Sequence, residues 1–144
     1  MNIIQQVVNT TVDYLENEQT LANETIVAAY DDDIHPVPTE NCIVSVGMPS
    51  IAFSERLKVV GDDGYESVTN DRRYTAKLMV KIFVPYEDGC TAGFSVADKI
   101  YTSLFYGRFP YEVLKAEIKD ADYDRTTEAL VIESTFTVSG TVTS

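Results

Sequence analysis

Arg72-Arg73-Tyr74-Thr75-Ala76-Lys77-Leu78-Met79-Val80-Lys81-Ile82-Phe83-Val84-Pro85-Tyr86-Glu87 is the stretch from which the fold is read. Tyr74, Ala76, Leu78, Val80, Ile82 and Val84 take alternate positions and are all apolar. Thr75, Lys77, Met79, Lys81 and Phe83 take the others. Period-two alternation predicts a strand with one face on a core and one mostly wet. The run is about twice the usual five or six residues, which suits a strand crossing the middle of a sheet. Pro85 has no amide to donate, so pairing is expected to end there.

An amphipathic helix follows directly. Asp88 or Thr91 caps it, and Phe94, Ala97, Ile100, Tyr101, Leu104 and Phe105 form its apolar face to Tyr106. Gly107 closes it as a C′ glycine. The expectation is a helix folded back onto the central strand. Working outward, residues 2–17 read as a second helix, with Ile4, Val7, Val8, Thr11 and Leu15 at three- and four-residue spacing and Asn2 as the cap. Its β-branched residues make it dependent on tertiary packing. Thr25 to Tyr30 reads as a short edge strand, and Asn41 to Met48 as another strand ending in a Gly47-Met48-Pro49 turn. Ile51 to Val60 is a further strand candidate. Between it and the central strand lies Gly61 to Asp71, a polar tip of about a dozen residues, longer than ordinary hairpin loops. Tyr111 to Asp120 reads as a strand, Asp120 to Thr127 as an acidic turn, and Ala129 to Val142 as the last strand, with a bend or bulge at Gly140.

The fold class that follows is α+β: an antiparallel sheet with two helices packed on it and a long β-hairpin arm. The 144 residues form a single domain, 1–144, with the arm at about 60–72. Hydrophobic content of 44% and charged content of 24% are ordinary for a globular chain, but the net charge of -12 is not. It argues against a general nucleic-acid binder, since phosphate contacts need clustered Lys and Arg. Cys42 and Cys90 are too few for a disulfide scaffold and are expected as reduced thiols. The first residues lack the basic start of a signal peptide, and no run approaches the roughly 20 apolar residues of a membrane span. The expected place of synthesis is a cytoplasm.

Chemistry is sparse in the pattern. His35, the single histidine, sits in Asp33-Ile34-His35-Pro36 with no adjacent nucleophile. A dyad with Cys42 is conceivable because partners need only meet in space, but nothing in the sequence favours it over a buried thiol. Asp31-Asp32-Asp33, Asp62-Asp63 and Asp120, Asp122, Asp124 form acidic clusters. The last has the alternation of a calcium loop without its central glycine or terminal glutamate. There is no phosphate loop, HExxH or GxSxG, so no catalytic residue, metal or cofactor is expected.

The element order carries a resemblance. An N-terminal helix and apolar strands lead to a hairpin whose second strand is Arg73 to Val84. A helix around Ala97-Asp98-Lys99-Ile100-Tyr101-Thr102-Ser103-Leu104 follows, then a closing hairpin running into Phe136-Thr137-Val138-Ser139-Gly140-Thr141-Val142. Over nearly its whole length the chain resembles the tail terminator (tail completion, head–tail joining) proteins of long-tailed bacteriophages and related contractile particles. The resemblance is one of length, order and texture, and it maps no short motif. It implies a virion protein, made in the bacterial host cytoplasm, that forms a hexameric ring. Such a ring caps the tail tube, ends its polymerisation and joins the head connector, with DNA passing through its centre without specific binding. Implied partners are further copies of the chain, the tail tube protein, the sheath and neck proteins, with no membrane and no catalysis. The candidate arm surface is Asp62, Asp63, Tyr65, Glu66, Asp71, Arg72 and Arg73. Asp120, Asp122 and Asp124 are candidates for an acidic lumen or rim. The alternatives are a head–tail adaptor or neck protein, and a small α+β enzyme or ligand-binding domain.

Overall fold

A computed structural model describes residues 3–28, 42–62, 64–125 and 128–142, with the backbone alone over 55–60 and 66–71. Two helices, α1 (Ile3–Glu16) and α2 (Gly89–Tyr106), accompany six strands: β1 (Thr25–Ala28), β2 (Ile43–Val60), β3 (Glu66–Pro85), β4 (Glu112–Ile118), β5 (Asp122–Asp124) and β6 (Ala129–Val142). All six strands join one sheet in the order β1-β2-β3-β6-β4, and β5 pairs with the first residues of β6. The fold is α+β, with β3 at the sheet centre as its alternation requires.

The even positions of β3 from Tyr74 to Val84 are all buried. Their ladder partners on β6 include Ile132, Phe136 and Val138, also buried, so one continuous apolar face is formed. Val7, Val8, Val12 and Leu15 of α1 cover it near β1 and β2. Val96, Ala97, Ile100 and Leu104 of α2 cover it near β3 and β6. Each such Val, Leu or Ile side chain contributes about 1.5–3 kcal/mol on leaving water. Ile4, expected on the buried face of α1, is exposed, and Val12 completes that face instead. The expected cap Asn2 lies outside the described residues. Among the described residues no helix is long and apolar enough to cross a membrane.

Several sequence expectations are corrected. The sheet is mixed rather than antiparallel, because β1 runs parallel to β2. Their link, residues 29–42, is long enough for the crossover that a parallel pair needs. Gly47-Met48-Pro49 is no turn: β2 continues through it with a register shift between Gly47 and Ser50. A bulge accommodates a proline that has no amide to pair. Gly107 is extended at φ -87°, not left-handed. Its amide donates to the Ser103 carbonyl at 3.0 Å, and the Tyr14 hydroxyl donates to that same oxygen at 2.9 Å. A Cβ there would strike both oxygens, so close packing selects the glycine. Gly140 marks no bulge, since the Tyr74↔Gly140 pair sits in an unshifted ladder. The Tyr74 ring lies over it and occupies the space of the missing side chain.

Candidate interaction surfaces

The tip expected at Gly61 to Asp71 is mostly strand. β2 runs to Val60, β3 starts at Glu66, and the two pair as Val60↔Glu66, Val59↔Ser67 and Lys58↔Val68. Only residues 61–65 lie between the two strands. The Gly61 amide donates to the Tyr65 carbonyl at 2.9 Å, and the Gly64 amide to the Gly61 carbonyl at 3.0 Å. Gly64 has φ +83°, a conformation that glycine adopts without strain. The polar texture of 66–71 hides the strand, because backbone ladder bonds need no apolar alternation.

This end of the hairpin outruns its neighbours. β1 pairs β2 only over Ile43 to Val46, and β6 pairs β3 only from Arg72 onward. Beyond those points, among the described residues, β2 and β3 pair with each other alone. Asp62 is exposed, Tyr65 is 77% exposed, and Arg72 and Arg73 are exposed. Arg72 donates to the Ser54 carbonyl at 3.3 Å, and the Arg73 amide donates to Ser54 Oγ at 3.1 Å. Arg72 is the register partner of Arg56. Asp63 lies outside the described residues, and Glu66 and Asp71 are placed by backbone only.

The acidic stretch is likewise partly strand, which corrects the expected turn. Asp122 pairs with Val131, Tyr123 with Leu130 and Asp124 with Ala129. Asp122 and Asp124 therefore share one face of β5, and Asp120 lies outside it. Tyr123, 52% exposed, meets Tyr86, 63% exposed, edge-on at a centroid separation of 5.4 Å. That pair escaped the sequence reading. Its signal was an aromatic set between two aspartates, with its partner just past the strand-ending proline.

Two further features bear on chemistry. Cys42 is buried and its amide donates to Glu24 Oε2 at 3.0 Å. Burial, then the charges of Glu24 and Asp88, push its thiol up to about 11. Cys90 is exposed. At pH 8, Cys90 is expected to react with a disulfide reagent at once and Cys42 at least about 100-fold more slowly, because the thiolate is the nucleophile. Equal rates would mean that Cys42 is open to solvent. His35 and Asp31 to Asp33 lie outside the described residues, so the conceived His35–Cys42 dyad does too. An open groove of about 360 Å³ beside the end of α2 is lined by Glu18, Thr20, Asp98, Lys99, Thr102 and Tyr106 among others. Among the described residues no His, Cys, Asp and Glu side chains gather in a metal-binding group.

The open face of the sheet, opposite the helices, carries Lys77, Lys81 and Arg73 from β3 and Lys115 from β4. Thr135, Thr137 and Ser139 of β6 lie between them. Lys81 and Lys119 both approach Glu133, at 4.0 and 3.9 Å. Such exposed pairs stabilise little. No protein-family model matches this chain, and no curated protein matches it.

Proposed function

We propose that this chain is a structural ring subunit of the phage tail-terminator kind. It caps a tail tube and joins it to the head connector, with DNA passing through the ring. The observation that carries the reading is the hairpin end. β2 and β3 continue past the residues that pair with β1 and β6, so among the described residues no third strand is laddered onto that end. Among the described residues β4 is the last strand at the far side of the sheet. Unpaired edges are templates for another chain, and edges at opposite sides of one sheet suit head-to-tail contacts. Head-to-tail contacts close into rings when the rotation permits. In this reading the hairpin end meets a neighbour or the tube, and Asp120, Asp122 and Asp124 line the lumen or rim. Carboxylates there offer DNA no phosphate-binding cation.

The test replaces residues 56–71 by an Asn-Gly turn, which suits a two-residue hairpin. The shortened protein is expected to keep its far-ultraviolet circular dichroism. It is expected to lose both open-centred rings in negative-stain electron microscopy and the ability to stop tube growth in an assembly extract. Tubes of normal length made with the shortened protein would remove the hairpin from the mechanism.

A further inference from the structure

We infer that two copies of this chain pair through β4, antiparallel about a two-fold axis at Ala116, and so extend one sheet across both. The contact does not rest on the ring reading above, although it occupies the edge at which that reading seats a neighbour.

β4 carries apolar surface that the helices leave open. Val113, Ala116 and Ile118 pair with Val138, Phe136 and Ser134, all buried, so they stand on the helix side of the sheet. Alternation from Ala116 puts Leu114, the extra residue at the register shift, on that side too. Strands lie about 4.8 Å apart and packed helices about 8–10 Å apart, so two helices cover about four strands. α1 and α2 take β1, β2, β3 and β6, and β4 is the strand beyond them. Leu114 is accordingly 52% exposed and Ile118 39%. The flank of α2 that carries Lys99 and Ser103 turns to Tyr14, Glu18 and Thr20. Phe94, Tyr101 and Phe105 recur at helical spacing on the opposite flank, toward β4. They and the β4 side chains form an apolar shelf with β4 as its rim.

The charges of β4 select what covers the shelf. Lys115 and Glu117 pair with Thr137 and Thr135, so they share the open side, and both are exposed. A two-fold axis perpendicular to the sheet makes two β4 strands antiparallel and keeps helix side beside helix side. Each such axis pairs one residue with its own copy. A centre on Lys115 sets lysine opposite lysine, and a centre on Glu117 sets glutamate opposite glutamate. A centre on Leu114 falls on the register shift. Centres nearer the ends keep too few of the seven residues of β4 paired. A centre on Ala116 sets Lys115 opposite Glu117 twice and Leu114 opposite Ile118 twice. Opposite charges and apolar side chains so placed stabilise a ladder, and like charges destabilise it. Matched charges also work against the self-repulsion of a chain with net charge -12.

The experiment is sedimentation velocity of the full chain over a concentration series, with circular dichroism to check that each variant folds. The parent is expected to form dimers as concentration rises. Lys115→Glu and Glu117→Lys are each expected to weaken the dimer at least about 10-fold, because each opposes two like pairs. Both changes in one chain are expected to restore it, as is an equimolar mixture of the two single variants. In a Cys90→Ser background, Ala116→Cys is expected to oxidise to a covalent dimer, since paired Cα atoms lie about 4.5–5.5 Å apart, within disulfide reach. Leu114→Cys, about 13 Å from its own copy at the usual rise, is expected not to. A parent monomeric to about 1 mM, single variants that dimerise like the parent, or a mixture that stays monomeric would each overturn the contact. If such a monomer caps tubes and Ile118→Glu abolishes the capping, the shelf belongs to the tube protein instead. In the ring reading, the oxidised Ala116→Cys dimer is expected to cap no tubes until a reductant frees β4. Capping by the locked dimer would keep the contact and remove β4 from the ring. A dimer whose parent never caps tubes would keep the contact and remove the tail-terminator reading.

Discussion

Phe136→Ala is expected to lower the unfolding free energy by about 3–5 kcal/mol. Phe136 is fully buried, pairs with Leu78 on one side and Ala116 on the other, and belongs to the face beneath the helices. Removing its ring deletes transfer free energy and leaves a cavity between the β3 and β4 neighbours of Phe136. Native domains have only about 5–15 kcal/mol in total, so this change alone removes a large share of the reserve. Urea unfolding followed by circular dichroism measures it, with the midpoint falling while the slope stays constant. Thr137→Ala, one residue on and facing the open side, is expected to stay within about 0.5 kcal/mol. Equal losses for the two would contradict the assignment of faces.

Gly140→Ala tests the reverse error, too much volume. A Cβ at Gly140 would stand 2.6 Å from Tyr74 Cζ and 2.9 Å from Cε1, with the hydroxyl also in the way. The Tyr74 ring is buried, and that burial pushes its phenol up to about 12, with Tyr111 adding a smaller push. Phe53 lies against the ring at a centroid distance of 6.4 Å. The tyrosine therefore has little freedom to yield, and the added methyl is expected to cost about 2–3 kcal/mol. Tyr74→Leu removes the obstruction, so in the double variant the penalty of the alanine should shrink by about 1 kcal/mol or more. Strict additivity would show that Gly140 is present for another reason.

These two residues also mark what was legible. The alternation from Tyr74 to Val84 predicted the central strand, its buried face and its end near Pro85, because alternate residues of a strand point to the same face. The helix of residues 89–106 was legible because apolar residues recur at helical spacing and a glycine follows. The reason for that glycine was not, since Tyr14, which comes to meet it, lies far away in sequence. Gly140 is the same case, its meaning residing in a ring on the neighbouring strand.

The candidate surfaces were less legible still. Polar residues 66–71 and 120–124 carry the texture of loops, yet part or all of each pairs as strand. Backbone hydrogen bonds to a partner strand leave no imprint on side-chain periodicity. The register pair Arg56↔Arg72 and the meeting of Tyr86 with Tyr123 are products of register and of chain return. By itself the sequence determined the α+β class, the central strand, the helix that covers it and the acidic balance, because each follows from local periodicity or composition. Only the tertiary structure decided the parallel edge strand, the extent of the β2–β3 ladder and the pairing of distant residues. Those depend on which strands lie side by side, and contacts between residues far apart in the chain decide that.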